Sequence, residues 1–182
     1  MAGDAQGYVM KWPLVGPFTF FGLGVAAVTC LADQAVKLWL IFAFELGRRG
    51  KIVIAPFIDF ILIWNTGISY GWFKQEGPVG QAILLGLKTV AVVLLLIWLA
   101  RAGSRLTALS LGLIVGGALG NALDRLFYGA VADFVLFHIT TAQWTFNWYV
   151  FNLADAAIVV GVAGILYDSF VKGMPQKRPD QA

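Results

Sequence analysis

The sequence predicts an all-α integral membrane protein of four transmembrane helices, with a small β-sheet at one membrane surface. Three observations carry this reading. The 182 residues are 59% hydrophobic and only 13% charged, with a mean hydropathy of +0.79, whereas a soluble domain carries about a quarter charged residues. Residues 12–32 contain no charge at all, matching the roughly 20 residues that cross the hydrocarbon. The run "KIVIAPFIDFILIWNTG" (51–67) is too short to span and is interrupted by Pro56 and Asp59. Its β-branched and aromatic content suits short strands.

The first span covers about 15–43, longer than the bilayer requires, so it is tilted or projects from it. It runs on through Asp33 and Lys37 with no small-residue cleavage pattern, so it reads as a retained span and not a signal peptide. The second span is about 78–100 and the third about 106–127. The link between them, "RAGSR" (101–105), is so short that they must be antiparallel neighbours. The fourth span is about 153–171, and the whole of 1–182 forms one integral membrane domain with polar tails at 1–11 and 172–182.

An even number of spans puts both termini on one face. Lys11, Arg101, Arg105, Lys172, Lys177 and Arg178 would share it, against Arg48, Arg49, Lys51 and Lys74 on the other. The positive-inside rule then favours cytoplasmic termini. The two longer connections, about 44–77 and 128–152, fall on the outer face. In the second, Trp144, Phe146, Trp148, Tyr149 and Phe151 read as residues anchored at the headgroup level.

Several function classes drop out. A net charge of +3 from scattered basic residues gives no support for nucleic-acid binding. Cys30 is the single cysteine and His138 the single histidine, so neither a disulfide nor a zinc site is expected. No cofactor is expected either. Lys88, in the middle of the second span, either snorkels or faces the bundle interior.

The polar residues that remain all fall on one side of the membrane. Asp33 and Lys37 lie in the outer half of span one, and Asn65 follows the strands. Asn121, Asp124 and Arg125 end span three, Asp133 lies just beyond, and Asn152 and Asp155 open span four. Such groups are expensive at membrane depth and usually mark function. Local spacing offers plainer roles for some. Asp33 and Lys37 are four apart and suit a structural ion pair. Asn152 with Asp155 three residues on resembles a capping box. Asn121, Asp124 and Arg125 share one helix face and are expected to bond to one another and to neighbouring backbone, with Asp124 the partner of Arg125.

Asp133 is harder to explain structurally. If it faces Asp155, two carboxylates share a low-dielectric site and cannot both ionise easily. One then keeps a proton while the other draws a proton from water, as an aspartic protease requires. No competing nucleophile set is visible: Ser69, Ser104, Ser110 and Ser169 have no base beside them on this face.

Five motifs in order now carry a resemblance: "DQAVK" (33–37), "NTGISYG" (65–71), "GGALGNALDR" (116–125), "VADF" (131–134) and "FNLADA" (151–156). Over essentially its whole length the chain resembles the lipoprotein signal peptidases, the bacterial type II signal peptidases. The resemblance implies a four-helix intramembrane aspartyl protease of the bacterial inner membrane, with a β-cradle and an outer arm. Its catalytic carboxylates fall on Asp133 and Asp155. Its substrate-binding and supporting residues fall on Asp33, Lys37, Asn65, Gly67, Asn121, Asp124, Arg125 and Asn152. Its substrate is a prolipoprotein whose lipobox cysteine already carries diacylglycerol, cut just before that cysteine near the extracytoplasmic face, and a monomer in contact with membrane lipid is expected. The short head before the first span and "TTAQWTFNW" depart from the pattern without touching a motif.

A proton-coupled transporter would also use intramembrane carboxylates, but the polar residues crowd one face and no inverted repeat is visible. A scaffold would not need both Asp133 and Asp155, and the Gly-x-Gly-Asp pattern of presenilin-type proteases is absent. Within the pair, Asp155 should occupy the first turn of span four, where the helix dipole favours an anion. Asp133, read as lying in a loop among apolar residues, should hold the proton.

Overall fold

The computed structural model describes residues 15–67 and 78–173. The head before residue 15, Ser69, Lys74, the tail beyond 173 and the side chains of Lys88 and Lys172 lie outside the described residues. Helix α1 (Thr19–Leu38) continues as a π-helical turn, Trp39–Ala43, and leads to the short α2 (Leu46–Arg49). Strands β1 (Ile52–Ala55) and β2 (Ile58–Asn65) follow. Helices α3 (Pro78–Leu99) and α4 (Arg105–Tyr128) precede β3 (Val131–Thr140), β4 (Thr145–Phe151) and α5 (Leu153–Gly173).

Among the described residues, three helices are long and apolar enough to cross a membrane: Thr19–Ala43, Arg105–Tyr128 and Leu153–Val171. Helix α3 carries a further apolar stretch, Thr89–Leu99, among the described residues. Outward-facing residues of α1 (Phe20, Val28, Leu31) and α5 (Val159, Leu166, Phe170) are largely exposed. So much contiguous apolar surface is stable only where lipid covers it.

Helix α4 is the centre of the bundle, packed on α1, α3 and α5. Its small residues explain why. A Cβ on Gly117 would stand 2.5 Å from the Ala154 carbonyl oxygen of α5, and one on Gly120 would stand 2.6 Å from Oδ2 of Asp33 in α1. Glycine lets the backbones approach this closely. The helix starts at Ser104, whose hydroxyl accepts the Thr107 N–H at 3.1 Å. It stops at Gly129, left-handed at φ 72°, whose N–H donates to the Arg125 carbonyl at 3.0 Å, the usual glycine C-cap.

The four strands form one antiparallel sheet in the order β1-β2-β3-β4. Strands β1 and β2 match the short strands read from residues 51–67. The segment 128–152, read as an aromatic connection, instead supplies β3 and β4. Asp133 therefore sits in a strand and not in a loop, opposite Ile63 of β2. The pairing is long-range, and β4 is exposed over most of its length, so no local alternation marks it. On one side of the sheet Phe134 joins Leu40 and Leu46 in a buried cluster that also takes Val36, Phe60 and Leu62. Strand alternation turns its neighbour Asp133 the opposite way. Phe151 of β4 pairs with Val135, and Asn152 alone separates β4 from the first turn of α5. The sheet register thus brings Asp133 beside Asp155.

Candidate active site

Asp155 lies in the first turn of α5, and Asn152 is its cap. The Asn152 Oδ1 accepts the Asp155 N–H at 2.9 Å, and the Asn152 N–H donates to Asp155 Oδ2 at 3.3 Å. This reciprocal pair is the capping box read from the spacing. The other end of the Asn152 amide does something further: its Nδ2 donates to Asp133 Oδ1 at 2.7 Å. One side chain thus touches both aspartates.

Asn121 makes a second link. Its Nδ2 donates to Asp155 Oδ1 at 2.8 Å, while its Oδ1 accepts from Asn152 Nδ2 at 3.0 Å. Asn65, at the end of β2, donates from Nδ2 to Asp133 Oδ2 at 3.1 Å. Its own Oδ1 accepts the Gly67 N–H at 3.0 Å, closing a turn that aims the amide. Arg125 holds that turn from α4, with Nη2 on the Gly67 carbonyl at 2.6 Å.

Beneath these lies a buried ion cluster. Lys37 Nζ stands 2.7 Å from Asp33 Oδ2, 2.8 Å from Asp124 Oδ2 and 3.1 Å from Asn121 Oδ1. Each carboxylate also holds the backbone N–H just before an aspartate. Asp33 Oδ1 accepts the Ala154 N–H at 2.9 Å, and Asp124 Oδ2 accepts the Ala132 N–H at 3.1 Å. The expected Asp124–Arg125 partnership is therefore corrected. Consecutive helical residues point about 100° apart, which sends Asp124 toward α1 and Arg125 toward Gly67. Gln34, which spacing did not single out, donates to Asp124 Oδ1 at 2.8 Å and to the Gly120 carbonyl at 3.0 Å. Its signal was only its place beside Asp33 in "DQAVK".

Asp133 and Asp155 line one cavity of about 570 Å³ together with Asn65, Asn121 and Arg125. The cavity wall includes Phe151, Ile158, Val159 and Val160, so apolar and ionisable groups face the same space. Asp133 is 3% exposed, and its pKa is pushed up to about 6, first by burial and then by the Asp155 charge. The donors Asn65 and Asn152 act in the opposite sense. Such a carboxyl holds its proton to higher pH than an ordinary one, beside an anion, and can release it at modest cost. Among the described residues no group of three or more His, Cys, Asp or Glu side chains is placed to hold a metal ion.

His138 and Asp59 form a separate cluster on the sheet. Asp59 is fully buried, with Lys51 Nζ at 3.0 Å and His138 Nε2 at 3.2 Å from Oδ2. Lys51, close against it, holds the Asp59 carboxyl below the usual range against the effect of burial. None of the three lines the cavity of the aspartate pair.

The profile of the signal peptidase (SPase) II family matches residues 25–171. The lipoprotein signal peptidase of Nitrobacter hamburgensis is 58% identical over 158 residues, covering 87% of this chain and 96% of that protein. Its counterpart in Rhodopseudomonas palustris is 54% identical over the same length and coverage. A solved bacterial membrane enzyme superposes with a TM-score of 0.70 at 20% identity, over 88% of this chain and 96% of that one, which shows a shared fold. The chain, a multi-pass bacterial membrane protease, belongs to the signal peptidase II family.

Proposed function

We propose that this protein is an intramembrane aspartyl endopeptidase that removes the signal peptide from diacylglyceryl-modified prolipoproteins, cutting just before the lipidated cysteine. The observation that carries the reading is the convergence of Asp133 and Asp155 on one partly apolar cavity, cross-linked through Asn152 and Asn121. Asp155 is the ionised member. Its carboxylate accepts two hydrogen bonds at a helix start, where the dipole favours an anion by about 0.3–1 kcal/mol or more when partly buried. Asp133 is the protonated member.

In the reaction Asp155 takes a proton from a water as its oxygen attacks the scissile carbonyl carbon. Asp133 gives its proton to the carbonyl oxygen, producing a neutral gem-diol. Collapse breaks the C–N bond: the gem-diol returns a hydroxyl proton to Asp133, and Asp155 passes its proton to the departing cysteine amine. The pair is restored and one water is consumed. Asn65, Asn121 and Asn152 hold the carboxyl planes throughout, so no reorganisation is needed at the transition state.

The apolar wall of Ile158, Val159 and Val160 suits acyl chains entering from the bilayer. Each methylene buried contributes about 0.8 kcal/mol, so lipid supplies much of the binding and sequence selection around the bond can be loose. In this account α3 is the fourth span, the termini are cytoplasmic, the site opens near the extracytoplasmic face of the inner membrane, and the protein works as a monomer. The test is incubation of the purified protein with a synthetic prolipoprotein with and without diacylglycerol, read by mass spectrometry. Cleavage before the lipidated cysteine of the modified substrate alone is expected. Cleavage elsewhere, or none, would overturn the reading.

A further inference from the structure

We infer that Gln34 is a positioning residue for Asp133, acting through Asp124 and the Ala132 amide. The inference rests on the peptidase reading above and adds a residue to it. Asp124 has two jobs that compete for its oxygens. Oδ2 must face both Lys37 Nζ at 2.8 Å and the Ala132 N–H at 3.1 Å. Left to itself the carboxylate would gain by swinging about its Cβ–Cγ bond to present both oxygens to the cation. Gln34 opposes that swing. Its Nε2 holds Oδ1 at 2.8 Å and is itself anchored on the Gly120 carbonyl at 3.0 Å, one helical turn before Asp124 on α4. The carboxyl plane is thereby fixed between α1 and α4, and Oδ2 stays on the strand amide that immediately precedes Asp133.

The counterpart carboxylate, Asp33, leans on this amide less: Gln34 Nε2 stands 3.5 Å from Asp33 Oδ2. Asp33 Oδ1 holds the Ala154 N–H before Asp155 at 2.9 Å, but there Asp33 shares α1 with Lys37 and packs against Gly120. Asp124 reaches Lys37 across a helix interface, so its orientation needs a third contact. Gln34 lies half-buried on α1 beside the Asp33–Lys37 face and donates without adding a charge.

The test uses the full-length purified enzyme with a diacylated prolipoprotein peptide, wild-type cleavage being the control for the peptidase reading itself. Gln34→Met keeps the length and removes both N–H donors. It should lower kcat by about 10- to 100-fold, the scale of a displacement of 1 Å or less at a reacting group, with KM within about twofold because the cavity wall is untouched. Gln34→Asn keeps an uncharged N–H donor on a side chain one methylene shorter and should retain more of kcat than Gln34→Met. The acid–base profile of kcat/KM in Gln34→Met should also shift, because Asp133 moves relative to Asn65 and Asn152. A uniform loss that tracks the folded fraction, a KM effect with kcat intact, or failure of Gln34→Asn to retain more activity than Gln34→Met would overturn the inference. Failure of the wild type to cleave would instead remove the peptidase reading.

Discussion

Lys37 offers the sharpest energetic test of the site's foundation. It is 2% exposed and stands between two carboxylates that are 0% and 1% exposed. Lys37→Met keeps most of the volume and removes the charge. Asp33 and Asp124 would then face each other as buried like charges, each still tied to a backbone N–H. Breaking a buried pair by removing one partner costs about 3–5 kcal/mol, because the remaining charge is uncompensated. For a chain of this size each kcal/mol moves Tm by about 2–4 °C, so the expected fall is about 6–20 °C. The assay is thermal unfolding in detergent followed by tryptophan fluorescence. Adding Asp124→Asn to Lys37→Met removes one of the two stranded charges and leaves an oxygen for the Ala132 amide, so it should recover a good part of the loss. A fall below about 2 °C for Lys37→Met, or a further fall in the double variant, would refute the claim that Lys37 neutralises this cluster.

Two further outcomes follow from the same contacts. Because the native Asp133 carboxyl binds its proton up to pH about 6 and an unfolded one only up to about 4, folding stability should fall as pH rises through that window. Asp133→Asn, which cannot ionise, should therefore melt above the wild type at pH 7 by on the order of 1–3 kcal/mol, with the gap closing below pH 4; equal melting at both pH values would refute it. Gly120→Val would drive a branched side chain into Asp33, so it should lower Tm and activity together, by about 1–3 kcal/mol if the overpacking is absorbed as in other cores. A variant as stable and active as the wild type would show that α1 and α4 do not need this close approach.

How much of this was legible depended on whether a contact is local. The Asp33–Lys37 pair and the Asn152–Asp155 cap sit at helical spacings, and both contacts form as read. The partner of Asp124 was not legible: Arg125 is adjacent in sequence, but Lys37 on another helix is adjacent in space. Asn152 was half legible. Its Oδ1 caps α5 as the spacing implies, yet an amide has a second, donating end, and only the fold shows it reaching Asp133. Strands β3 and β4 were missed because their register is set by β2, far away in the chain, and because β4 lacks one buried face. The glycines of "GGALG" marked a special helix without saying which neighbour each would meet.

The central claim, that Asp133 and Asp155 perform the hydrolysis as a pair, is tested most directly by single-turnover cleavage in two purified variants. Asp133→Asn and Asp155→Asn each keep the side-chain size and some hydrogen bonding, so each should fold and bind the diacylated prolipoprotein within a few-fold of the wild type. Each should cut it at least about 10³-fold more slowly, since residues acting as a unit lose nearly the whole effect when either is removed. Turnover near the wild-type rate in either variant, with binding intact, would contradict the account and remove that aspartate from the chemistry.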